Sequence, residues 1–209
     1  MSIDFTNPVV IATIVLAIVV IAGAIVKHIR KRSLYNKLVG LLGSGSYDEF
    51  FRLVDSDGAR SLLSAYTRAC LKLEAYLMEE DLEGAYHILD ELLACKLDDK
   101  QHTDLVLKAF NIYLGQEDAE RSKAMLDEID TWTDASRAPL RKDCHRMYDI
   151  AIDKSSDHID EMLTELESAD DLTKGRLEYY LSLQYGNRGD AEKEEEYLRR
   201  SAEHSFKQD

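Results

Sequence analysis

Hydrophobic and polar positions follow two different rules along this chain. From Phe5 to Val26 no residue is charged, and Lys27, His28, Arg30, Lys31 and Arg32 follow at once. Beyond about residue 34, apolar residues instead recur at helical spacing among many charged ones, and that second pattern repeats. The uncharged run holds 22 residues, about 33 Å of helix at roughly 1.5 Å per residue, enough to span a hydrocarbon core. It predicts a transmembrane helix over 5–26, after a short extracytoplasmic N-terminus (1–4) and before a basic juxtamembrane segment (27–37). A secretory signal would carry its positive charge ahead of a shorter apolar stretch, with small residues at the cleavage site after it. Here the basic residues all follow the run, and Ala22-Gly23-Ala24 lies inside it. The positive-inside bias then keeps Lys27, Arg30, Lys31, Arg32 and Lys37 cytoplasmic, predicting a single-pass cell-membrane protein with its body inside.

The repeating part is seen by aligning five segments: Phe50-Phe51-Arg52-Leu53-Val54, Ile88-Leu89-Asp90-Glu91-Leu92, Met125-Leu126-Asp127-Glu128-Ile129, Met162-Leu163-Thr164-Glu165-Leu166 and Tyr197-Leu198-Arg199-Arg200-Ser201. Successive starts are 38, 37, 37 and 35 residues apart. Two adjacent apolar residues open each segment, and in the first four a third follows at helical spacing to give one buried stripe. Ser201 breaks the stripe in the fifth, as expected of a terminal repeat whose outer face meets water. A longer stripe precedes each short one: Leu62, Tyr66, Ala69, Leu73 and Leu77; Val106, Ala109, Phe110 and Tyr113; Leu140, Cys144, Met147 and Ile150; Leu177, Tyr180, Leu181 and Gln184. Leu34 to Leu42 supplies the long helix of a first unit. Polar turns separate long from short: Glu79-Glu80-Asp81, Gly115 to Asp118, Lys154-Ser155-Ser156 and Gly186 to Asp190. Ser46-Tyr47-Asp48-Glu49 reads as a capping box. The expected fold is all-α, a transmembrane helix followed by an α-solenoid of helix–turn–helix repeats over 34–205 (34–57, 59–95, 99–130, 137–168 and 171–204), with a short tail at 206–209.

Tyr185-Gly186-Asn187-Arg188-Gly189-Asp190-Ala191-Glu192-Lys193 followed by Tyr197-Leu198 resembles the tetratricopeptide repeat family. Tyr76 with Asp81 and Ala85, and Tyr113 with Asp118, carry a weaker form. Leu73, Phe110 and Met147 stand where that family has a small residue, and its closing proline is absent. The resemblance implies stacked hairpins with a concave face that binds a peptide or helix of a protein partner. Its first helices put Cys70, Glu74, Leu107, Lys108, Asn111, Arg141, His145, Tyr148, Tyr179 and Leu183 on that face. Lys108, Asn111, Arg141 and His145 form a small polar and basic group suited to an acidic peptide or chain terminus. Tyr148 and Tyr179 are candidate aromatic contacts. The structural alternative is that Lys108 and Arg141 simply balance neighbouring acids.

Charge narrows the function classes. The chain carries −14, and residues 1–37 hold one acid and five bases, which leaves −18 on residues 38–209. Phosphate backbones repel such a body, so no nucleic-acid role is expected. Three cysteines without a pairing motif suit a reducing compartment. No glycine-rich phosphate loop, His-Glu-x-x-His or Cys-x-x-Cys occurs. Cys144 and His145 are adjacent and diverge by about 100° on a helix, and Glu83, His87 and Glu91 on one helix face make an incomplete metal site. Val54-Asp55-Ser56-Asp57-Gly58 is faintly similar to a calcium loop, but Leu53 and Ser64 stand where that loop needs carboxylates, so it reads as a turn. No enzyme activity, cofactor or metal is expected. The reading is a membrane-anchored scaffold or adaptor; the alternative is an anchored extracytoplasmic chaperone for newly translocated proteins.

Overall fold

The computed structural model describes the backbone of residues 8–205 and the side chains of residues 20–204. Among the described residues every element is helical: α1 (Pro8–Gly43), α2 (Tyr47–Val54), α3 (Asp57–Leu62), α4 (Ala65–Met78), α5 (Leu82–Leu93), α6 (Asp99–Gly115), α7 (Ala119–Asp130), a 3₁₀ turn (Ala135–Arg137), α8 (Ala138–Ala151), α9 (Ile159–Ser168), α10 (Asp171–Asn187) and α11 (Ala191–Ser205). They fall into two units, Met1–Cys95 and Lys96–Asp209. The all-α class and the helical repetition agree with the sequence pattern. All five aligned segments lie on second helices: α2, α5, α7, α9 and α11.

One turn recurs between long and short helices. Gly45, Glu80, Glu117, Lys154 and Gly189 all have positive φ, between 52° and 76°, and each stands between the two helices of a pair. In three of the pairs the chain closes identically. The amides of Asp81, Asp118 and Asp190 donate to the carbonyls of Tyr76, Tyr113 and Tyr185, each at 2.9 Å. The same aspartates then cap the next helix, accepting from the amides of Gly84 (3.0 Å), Arg121 (3.0 Å) and Lys193 (3.2 Å). A left-handed residue followed by a side-chain acceptor satisfies the orphan groups of both helix ends. The Tyr-to-Asp spacing is thus a backbone closure with its cap.

In the first unit, Leu38 and Leu42 of α1 join Phe50 and Val54 of α2, Leu63, and Leu71 and Ala75 of α4 in one buried cluster. Residues 27–37 are not a separate segment. They continue α1 without a break, and α1 is 36 residues long, about 54 Å. From Val20 to Ser33 every side chain is exposed, and burial begins only at Leu34. Among the described residues no helix is long and apolar enough to cross a membrane. Of the uncharged Phe5–Val26 run, residues 5–7 and the side chains before Val20 fall outside them, as do the N-terminal segment 1–4 and the tail 206–209.

In the second unit, α6 pairs with α7 and α10 with α11. The backbones of α8 and α9 stay farther apart than those of the other pairs, and α9 packs chiefly on α10. Ile150 of α8 still shares a core with Ile159 and Met162 of α9 and with Leu177, Leu181 and Tyr185 of α10. Charged side chains span the remaining gap, as set out below.

Three local expectations need correction. Leu62 does not continue the stripe of α4, because Ser64 starts that helix anew, its Oγ accepting from the Thr67 amide at 3.1 Å; Leu62 ends α3 instead. Ser46 precedes α2 but makes no capping bond; its hydroxyl meets that of Ser44 at 3.0 Å. A reciprocal capping box forms at Asp98 and Gln101, ahead of α6. Ser201 does not face water. It is buried, and its Oγ donates to the Gly175 carbonyl at 2.7 Å, so the hydroxyl completes the α10–α11 contact.

Candidate functional site

All six candidate contact residues belong to the second unit, where α6, α8 and α10 run as its long helices. Helical spacing puts Lys108 and Asn111 on one face of α6, and Arg141, His145 and Tyr148 on one face of α8. Asn111 is exposed, with Nδ2 donating to the Leu107 carbonyl of its own helix at 2.9 Å. Lys108 is half-buried. Arg141 turns towards the connection after α7: its Nη1 donates to the Trp132 carbonyl and, at 3.3 Å, to that of Asp134. The partners of Arg141 are therefore backbone carbonyls of the connection between α7 and α8. His145 Nε2 lies 2.7 Å from Asp130 Oδ1 at the end of α7. Tyr148 is half-buried. Tyr179 is 45% exposed on α10, its ring 5.6 Å from that of Tyr180 and edge-on to it. Arg141 and His145 thus look towards α7, while Tyr179 looks outward from α10.

Between α8 and α10 the chain gathers stripe residues with three charged ones, Asp143, Arg146 and Arg176, that the sequence reading left aside. Asp143, Arg146, Met147, Arg176, Leu177 and Tyr180 line a narrow hollow. Arg146 is the centre of its charge. Its side chain is 7% exposed, with Nη2 on Asp143 at 2.8 Å and Nη1 on Glu165 at 2.9 Å. Burial disfavours its charge, but Glu165, Asp143 and Glu161 more than offset that and hold the guanidinium above its ordinary pKa. Lys142 closes the outer edge on Glu161. Hydrogen bonding to Lys142 pulls the Glu161 carboxyl below its usual range, and the lysine rises correspondingly. Arg176, half exposed, reaches Asp143 at 3.7 Å. The Arg146–Glu165 and Lys142–Glu161 pairs span the opening between α8 and α9, and Arg176–Asp143 joins α10 to α8. Arg146 sits two residues from buried Cys144 and four from buried Ile150, and that placement was its one sequence signal.

A second buried charge joins α10 to α11. Glu178 is fully buried; Arg200 donates to its Oε1 through Nε at 3.0 Å and Nη2 at 2.9 Å. His204 Nδ1 lies 2.6 Å from Oε2. Arg200 also lies over the Tyr197 ring at 4.9 Å, and Tyr197 stacks on Tyr185 at 5.3 Å.

Burial pushes the Cys144 thiol up to about 11 and the Tyr180 hydroxyl to about 12, so both stay protonated at neutral pH and Cys144 is no thiolate nucleophile. His87 meets Glu91 at 3.4 Å, and among the described residues no group of three His, Cys, Asp or Glu side chains is arranged to hold a metal ion. Asp55, in the turn likened to a calcium loop, pairs with Lys72 at 2.8 Å. No family model, curated protein or solved structure matches the chain.

Proposed function

We propose that this chain is a single-pass membrane protein whose helical repeats act on the cytoplasmic side as an adaptor for a protein partner. One observation carries the anchoring. Val20, Ile21, Ile25, Val26 and Ile29 on α1 are each more than half exposed, at the end of an uncharged run and next to a cluster of cations. Leaving five such side chains in water costs about 4–7 kcal/mol relative to burial, and a hydrocarbon environment removes that penalty. The cationic cluster supports the inward orientation. In the adaptor reading an acidic peptide or helix lies along α6, α8 and α10, touching Lys108, Asn111 and Tyr179, with Tyr148, Arg141 and His145 at its edge. Anchoring raises the effective concentration of the captured partner at the membrane.

Two measurements test this. Cys95 is exposed and Cys144 buried, so Cys95 is the natural topology reporter. An impermeant maleimide labels it only after cells are opened if the repeats are cytoplasmic. Labelling on intact cells replaces this reading with that of an extracytoplasmic chaperone. Crosslinked capture from native membranes then compares the wild type with Asn111→Ala/Tyr148→Ala/Tyr179→Ala. Arg141 stays intact there because it holds backbone carbonyls. A stoichiometric partner lost in the variant supports the face; one retained moves the interface elsewhere, and none at all ends the stable-adaptor reading.

A further inference from the structure

Many cations of the hairpins are paired, and the four that cluster on α1 are not. In the hairpins Lys72, Arg121, Arg137, Lys142, Lys154 and Arg200 each meet a carboxylate. In α1 Lys37 does so, 3.2 Å from Glu49. Lys27, Arg30, Lys31 and Arg32 are exposed and pair with no carboxylate among the described residues. The nearest acids along the chain are Asp4 and Asp48. At 100° per residue these four side chains sweep roughly 200° of the helix circumference, and Ile25, Val26 and Ile29 take most of the rest. One turn further on, His28, Ile29, Arg32, Ser33 and Asn36 line a shallow hollow along α1. It sets a guanidinium, a hydroxyl and an amide, all hydrogen-bond donors, beside one isoleucine.

We propose that Lys27 to Asn36 of α1 is a binding collar for anionic phospholipid headgroups. It rests on the membrane-anchor reading and adds the ligand and the residues. A headgroup phosphate is a permanent anion with oxygens that a guanidinium engages in pairs. Arg30 and Arg32 supply that fork, Lys27 and Lys31 add point charge, and Ile25 and Ile29 lie against the acyl chains. The acidic body, −18 over residues 38–209, is repelled by the same lipid surface within a Debye length. Attraction is confined to the collar, and that sign difference makes phospholipid the complementary occupant.

The test uses full-length protein in vesicles of equimolar phosphatidylcholine and phosphatidylglycerol. The protein is extracted with a nanodisc-forming polymer, and the lipid retained after washing is quantified by mass spectrometry. The wild type is expected to enrich phosphatidylglycerol several-fold over the vesicle mixture at low salt and to lose the enrichment in high salt. Lys27→Gln/Arg30→Gln/Lys31→Gln/Arg32→Gln brings the ratio to that of the mixture, with helix content unchanged by circular dichroism. Lys27→Arg/Arg30→Lys/Lys31→Arg/Arg32→Lys keeps it high. A wild-type ratio equal to the mixture, or enrichment that survives in the glutamine variant, overturns the collar. So does displacement of the lipid by inorganic phosphate, which would make the ligand a soluble anion. Alkaline carbonate treatment of the same vesicles separates the two readings. Protein that stays in the membrane without enrichment refutes the collar alone; protein released by carbonate refutes the anchor beneath it.

Discussion

Removing one side of the Glu178–Arg200 contact should reveal which side is the buried one. Glu178 has no solvent exposure, whereas the Arg200 side chain keeps 35% of its own and has a second carboxylate, Glu196, at 3.6 Å. Arg200→Met therefore leaves a buried carboxylate with His204 as its remaining partner at 2.6 Å. Glu178→Gln leaves an arginine that can still turn to water and to Glu196. Breaking a buried pair from one side costs about 3–5 kcal/mol when the survivor is stranded. Arg200→Met belongs in that range, and Glu178→Gln nearer 1–2 kcal/mol, the scale of a lost charged hydrogen bond. Replacing both with Met should cost less than Arg200→Met alone, since no charge is then left in the interface. Urea unfolding of the full-length protein in nanodiscs gives these values. Trp132, the one tryptophan in the chain, lies in the same unit and reports through its fluorescence. An Arg200→Met cost equal to or below that of Glu178→Gln would refute the argument, because the order follows directly from the burial asymmetry.

Backbone strain at the turns gives a second prediction. Glu80→Gly should raise stability by about 0.5–1 kcal/mol by relieving φ +59°, and Gly189→Ala should lower it by about 1 kcal/mol at φ +76°; urea midpoints check both signs. Gly84→Ala should destabilise by about 1–2 kcal/mol despite better helix propensity. Its Cβ would come within 2.5 Å of the Tyr76 ring, which is itself packed 4.9 Å from Phe51; thermal unfolding followed by circular dichroism reads the loss. Acid should weaken the fold through its helix starts. Asp118 accepts the Arg121 amide, Asp134 that of Ser136 and Asp170 the hydroxyl and amide of Thr173, and each carboxyl is held below its ordinary value. A depressed folded pKa means the contribution is complete above about pH 4 and is lost as pH falls through the lowered values. Unfolding midpoints measured from neutral pH downward should thus hold steady and then drop below about pH 4, and Asp118→Asn should flatten part of that drop.

The sequence made the repeat legible because its turns are encoded twice, once by composition and once by spacing. Tyr76, Tyr113 and Tyr185 each precede an aspartate by five residues, and that interval is where one helix closes and the next is capped. The left-handed residue between them was legible only at Gly189 and Gly45; Glu80, Glu117 and Lys154 adopt the same conformation with nothing in their chemistry to announce it. Two buried charged side chains escaped the sequence reading for one reason. A periodic pattern assigns Arg146 and Glu178 to a solvated face, since their partners lie 19 and 22 residues away and no local rule joins residues at that range. Ser201 shows the same limit. Its hydroxyl looks like a concession to water until Gly175, with no side chain, brings a carbonyl within reach. Arg141 failed in the opposite direction: a cation expected to look outward is spent on the carbonyls of Trp132 and Asp134.

The unbroken course of α1 has a geometric result. A flexible tether between Ser33 and the first hairpin would let that hairpin face any direction. A single helix whose end is cemented into the Leu38–Phe50–Val54 cluster has no such freedom, so angle is transmitted along it. Inserting one residue between Lys27 and Ser33 would rotate the first hairpin by about 100° and lift it by about 1.5 Å. Inserting seven would return it nearly to its original bearing, about 10 Å higher. With α1 anchored as proposed, the length of that stretch is a phase setting: it decides which side of the first unit a neighbour in the membrane would meet.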